Sequence, residues 1–161
     1  MSSIGKLGEG VAEVLLLSLI SQGIDIRVEK IGGDFPTIDI YAEIDEAGYT
    51  YGAWFQVKTT ANDITGRDTL QVQVPFEKLK KLSKLLAPTY VIGIHYNEMQ
   101  PPTSKGYLKF VKGRYTRGWG SISTRYPMDE NNLLRLKDDI ISFWQGTDVI
   151  NAKTNFTSTF R

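Results

Sequence analysis

Along the chain the apolar positions change period, and the changes mark out elements. From Gly5 to Gln22, Leu7, Val11, Val14, Leu15 and Ser18 recur at helical spacing, and Gly23 follows, the residue type that most readily ends a helix. Ile24-Asp25-Ile26-Arg27-Val28 alternates apolar with polar, as a half-buried strand does, and Ile38-Asp39-Ile40-Tyr41-Ala42-Glu43-Ile44 repeats that period after a loop at Gly32-Gly33-Asp34. Asp45 to Gly48 is turn chemistry and Tyr49 to Thr60 is rich in β-formers, so the two runs predict an antiparallel hairpin.

A polar loop from Thr60 to Thr69 leads to a short β-like stretch, Leu70 to Val74. Pro75 suits a helix start, with Phe76, Leu79, Leu82, Leu85 and Leu86 as the apolar face and Pro88 as the stop. Tyr90-Val91-Ile92-Gly93-Ile94 is nearly all apolar, the mark of a strand covered on both sides. A turn at Pro101-Pro102 precedes a strand at Tyr107 to Val111 and a Gly/Arg/aromatic stretch to Tyr126. Asp129 suits the cap of a last helix, Asn131 to Gln145, carrying Leu133, Leu136, Ile140 and Trp144. The pattern predicts an α/β fold with a mixed sheet flanked by helices, one domain over residues 1–146 and a polar tail over 147–161.

Composition narrows the chemistry. The 161 residues include no Cys and one His, which removes disulfides, thiolate zinc sites, cysteine nucleophiles and multi-His zinc centres, so any metal must be held mainly by oxygen. The lone His95 ends an apolar strand, and with no nucleophile motif beside it a structural role is the expectation. The formal net charge of +1 is a cancellation: Met1 to Glu46 holds three basic and nine acidic residues, whereas Ala47 to Tyr126 holds 12 basic and four acidic. The longest apolar run, Val14 to Ile20, is too short to span a bilayer and follows Glu9 and Glu13 rather than a cationic leader. A soluble, cytoplasmic protein is the expectation, and Asn155-Phe156-Thr157 then matches a glycosylation sequon by accident.

Strand parity supplies the most specific clue. Ile38, Ile40, Ala42 and Ile44 share one face, which leaves Asp39, Tyr41 and Glu43 on the other; in the next strand Phe55 and Val57 oppose Gln56 and Lys58. The hairpin thus sets an acid, an amide and a lysine side by side. With Pro36-Thr37-Ile38-Asp39, Gln56-Val57-Lys58 and a helix bearing Gly8-Glu9-Gly10-Val11-Ala12-Glu13, the sequence resembles the PD-(D/E)xK, or restriction-endonuclease-like, nuclease superfamily. The resemblance covers roughly Gly5 to Tyr96 and extends to that superfamily's αβββαβ element order. In detail it is similar to a bacterial branch near Holliday-junction resolvases and Mrr-like restriction enzymes, with a glycine-plus-glutamate opening helix, an acid pair like Asp34 and Asp39, and a Gln-Val-Lys strand.

The resemblance implies an endodeoxyribonuclease using Mg²⁺ or Mn²⁺, acting in defence, restriction, repair or recombination. Asp39 and Gln56 would be metal ligands and Glu13 a third ligand or water positioner, with Glu9 and Asp34 as auxiliaries; Lys58 would orient the attacking water and stabilise phosphorane charge. Gln56 stands where the superfamily more often has Asp or Glu, and brings an oxygen without a charge. That departure sustains an alternative, a nuclease fold of weak or lost activity that binds DNA or a partner protein. Lys78, Lys81, Lys109, Lys112, Arg114 and Arg117 are the expected phosphate contacts. A homodimer is a further expectation, because two strands must be cut, and a defence-system partner protein another.

Overall fold

The computed structural model describes residues 3–32, 37–100 and 103–147. Helix α1 (Ser3–Leu17) tightens into a 3-10 turn at Ser18–Gln22, and Gly23 closes it in the left-handed conformation at φ 77°. The helix lies where the spacing predicts, but its fully buried residues are Gly8, Ala12 and Leu16, continued by Leu19; Leu7 and Val14, expected inward, are 50% and 67% exposed. Close approach is the reason. A Cβ on Gly8 would stand 1.8 Å from Thr59 Oγ1, so in its first half the helix meets the sheet through the small residues Gly8 and Ala12, and Leu16 and Leu19 fill the core farther along.

Strands β1 (Asp25–Lys30), β2 (Ile40–Glu46) and β3 (Tyr49–Thr60) form an antiparallel meander. The predicted hairpin turns at Ala47-Gly48 with φ of 52° and 83°, the two positive values of a type I′ turn. After the short β4 (Thr69–Leu70), α2 (Phe76–Leu82) carries the chain over to β5 (Thr89–His95), parallel to β3, and β6 (Lys105–Phe110) returns antiparallel. The five-stranded mixed sheet runs β1-β2-β3-β5-β6. A separate ribbon pairs β4 with β7 (Ile122–Ser123), from within the Gly/Arg/aromatic stretch, and α3 (Glu130–Gln145) follows. Helix α2 is shorter than its apolar pattern: it ends at Leu82 with Ser83 as its cap, and Leu86, expected on the buried face, is 91% exposed.

Helices α1 and α3 cover one face of the sheet, where Ala12, Leu16, Leu133 and Ile140 join Phe55 and Ile92 in the main core. Helix α2 and the ribbon cover part of the other, with Leu79 and Leu82 against Val91 and Val111, and Leu70 and Ile122 beside Tyr107. This is the expected α/β arrangement. Asp129 caps α3 as its sequence position implies, accepting from Asn132 N at 2.8 Å. Tyr90 Oη donates to Asp139 at 2.5 Å, and Trp144 Nε1 donates to Gly52 O at 2.8 Å, where β3 outruns β5. No helix among the described residues is long and apolar enough to cross a membrane. Asp34, Pro36, the turn at Pro101-Pro102, the sequon and the tail from residue 148 lie outside the described residues.

Candidate active site

Register builds the site. Ile40 pairs with Phe55, so one step along, Asp39 falls opposite Gln56. The Asp39 backbone is held on both sides: its N–H donates to Phe55 O at 2.9 Å and its carbonyl accepts from Ile31 N at 2.8 Å. Its side chain is 9% exposed, and Oδ2 accepts from both Gln56 Nε2 and the Val57 N–H, the latter at 2.7 Å. Gln56, 2% exposed, spends its amide nitrogen on that bond and leaves Oε1 buried with no hydrogen-bond partner among the described residues.

Lys58 lies two residues beyond Gln56 on the same sheet face, opposite Gly93, onto which Ile122 and Leu70 of the ribbon pack. Burial pushes the Lys58 amino group down, and Lys78 of α2, close beside it, pushes the same way, while Asp39 opposes both. Burial pushes the Asp39 carboxyl up, partly offset by the Val57 N–H and then by Lys78 and Lys58. Lys78, expected among the DNA contacts, therefore belongs to the Asp39 group. Neither Lys58 nor Lys78 takes part in an ion pair among the described residues. Two cations held together without a full complement of acid form a receptive place for an anion.

Of the two helix acids, Glu9 senses the site: its carboxyl is pushed up first by burial and then by the charge of Asp39. Glu13, one turn later and half-buried, is tied to the group by no described contact. The remaining basic residues are dispersed. Lys109 shares the Gln56 face, since Gln56 pairs with Val91 and Val91 with Lys109, and its Nζ stands 4.6 Å from the centre of the Trp119 ring. Lys81, Lys112, Arg114 and Arg117 are exposed. His95 ends β5 opposite Thr60, half-buried. A polar groove of about 950 Å³ opens by the ribbon, with Arg67, Gln71 and Gln73 among its walls, and no pattern in the sequence distinguishes it from an ordinary loop.

Comparison with known proteins finds no matching family model, no matching curated protein and no matching solved structure. The donor set itself can be weighed against a metal. Among the described residues no three acidic, His or Cys side chains gather into a group that could hold an ion. Asp39 and Gln56 are nonetheless hard oxygen donors by type, the kind Mg²⁺ and Mn²⁺ take, although it is the amide nitrogen of Gln56 that faces the carboxylate and its partnerless Oε1 is sealed from solvent. The donor types suit a hard ion once the Gln56 amide turns its oxygen toward Asp39, and Glu9 is the carboxylate in electrostatic reach.

Proposed function

We propose that the chain is a metal-dependent endonuclease that hydrolyses DNA phosphodiester bonds, built on a restriction-endonuclease-like core. The order α1, then β1 to β3, then α2 and β5 supports that core, being the αβββαβ order the resemblance implies. The observation that carries the function is the convergence of Asp39, Gln56, Lys58 and Lys78 on one sheet face, with a buried unpartnered carbonyl oxygen and two lysines outside any described ion pair.

In this reading Asp39 and Gln56 Oε1 would hold Mg²⁺, with Glu9, Glu13 or Asp34 as the further carboxylate; the ion supplies charge neutralisation at the phosphate and a more acidic water. The chain's own groups do the rest. Lys78 binds a phosphate oxygen, and Lys58, its amino group lowered by burial and by its neighbour, exchanges a proton with the attacking water more readily than an exposed lysine. Lys109, Lys112, Arg114 and Arg117 lie outside that group and contribute phosphate contacts farther along a bound DNA.

A second reading rests on one specific bond. The Gln56 amide already satisfies Asp39 Oδ2, and such a closed pair suits a fold that keeps the residues for structure and binds DNA without cutting it. Calorimetry with Mn²⁺ separates the two. The nuclease reading expects saturable binding by the wild type, tighter binding by Gln56→Glu, which adds the missing charge, and none by Asp39→Ala. No heat with any of the three, with DNA affinity retained, would establish the binding module instead.

A further inference from the structure

On the face that carries Asp39 and Gln56, the next residues along the hairpin are aromatic. Tyr41 pairs with Trp54 across β2 and β3, their ring centres 4.5 Å apart and their planes at 37°, and both remain half-buried. Helix α2 packs farther across the sheet, over Val91 and Val111. Gly52 makes the aromatic arrangement feasible, since a Cβ there would stand 2.7 Å from Tyr41 Oη. Beside the rings lies a cleft of about 510 Å³, lined by Tyr41 and Trp54 together with Leu86, Ala87 and Trp144.

We infer that the Tyr41–Trp54 pair is a stacking platform for one unpaired nucleobase next to the phosphate held by Lys58 and Lys78, so that the preferred substrate has an unstacked nucleotide beside the cut. The inference rests on the nuclease-site reading and adds its substrate class: single-stranded, flapped or branched DNA rather than a continuous duplex. Three observations carry it. Trp54 and Gln56 are two residues apart on one strand, about 7 Å, so a base on the ring and its phosphate over the Asp39 group are adjacent parts of one nucleotide step. The polarity is correct, with cations at the Lys58 end and aromatic surface at the Trp54 end. Beyond the aromatics the same face turns acidic, with Glu43 and Asp45 paired to Arg27, which discourages the sugar-phosphate backbone from continuing that way and leaves room for one base, not a run. A base finds a π-face to stack on there, and the interaction is tolerant of base identity.

The test measures fluorescence anisotropy of a labelled oligothymidylate, free and annealed to its complement, in EDTA so that nothing is cut. Trp54→Ala is expected to weaken single-strand binding about tenfold or more and duplex binding less than about twofold, with Trp54→Phe recovering most of the loss. Leu86→Glu, at a site 91% exposed and so harmless to folding, places a negative charge at the cleft mouth and is expected to weaken the single strand selectively; it decides the matter if Trp54→Ala does not fold. Unchanged single-strand binding in the folded variants, or equal loss for single strand and duplex, overturns the platform. Cleavage of the same strands by the wild type in Mg²⁺ is scored separately. Trp54-dependent binding without cleavage would sink the nuclease reading alone, and cleavage with Trp54-independent binding would sink the platform alone.

Discussion

Asp39 shows how a buried charge marks a candidate site. Its carboxyl is pushed up by burial, so the folded chain holds this proton more tightly than the unfolded chain does. The associated stability is fully present below the ordinary value of 3.8 and is lost as pH rises through the higher folded-state value. Asn mimics the protonated acid and keeps an oxygen for the Val57 N–H. Asp39→Asn should therefore match the wild type in thermal melts near pH 4 and gain on it by pH 7, while losing roughly a hundredfold or more in cleavage. A gap that is the same at both pH values would mean that the carboxylate is not paying a burial penalty. Asp39, Gln56 and Lys58 were legible from alternation alone, because a strand's two-residue period assigns faces without any knowledge of distance. Their bonds were not: nothing in a residue pattern says that the amide nitrogen of Gln56 is taken and its oxygen left alone.

At the scale of elements, α1 positions Glu9, and Gly8 positions α1. The contact with Thr59 leaves no room for a side chain, so Gly8→Ala should destabilise the fold by about 1–3 kcal/mol despite the better helix propensity of Ala. Chemical denaturation measures this, and Thr59→Ala in the same chain should recover part of the loss; full additivity of the two substitutions would show that they do not touch. The existence of this helix is plain from its spacing, yet its inward face is misread, since periodicity alone counts Leu7 and Val14 as core and a Gly-Ala stripe as filler. The β4–β7 ribbon is invisible for a related reason. Two-residue strands carry no period, and the pairing of Thr69 with Ser123 spans a large part of the chain. Lys78 was legible in part: the basic helix marks it as an expected phosphate contact, whereas only the fold shows that the first turn of α2 brings it against Lys58.

Across the whole molecule the near-neutral charge of the chain is a cancellation between an acidic and a basic stretch of sequence that meet at one place in the fold. Glu9 of α1 and Asp39, just before β2, meet Lys58 of β3 and Lys78 of α2, while the acids within β2 pair with Arg27 and Lys137 instead. The mixed sheet makes that meeting possible, because a parallel return from β3 to β5 through α2 is what swings Lys78 over the open end of the hairpin. The element order and layers follow from the hydrophobic periods; the meeting of charges follows only from the folded chain. The most direct measurement is cleavage of supercoiled plasmid and branched DNA by the purified protein with Mg²⁺ or Mn²⁺. The account predicts cutting by the wild type that EDTA abolishes and that falls roughly a hundredfold or more in Asp39→Ala and in Lys58→Ala. Undiminished cutting by both variants, or none by the wild type with either metal, would contradict it.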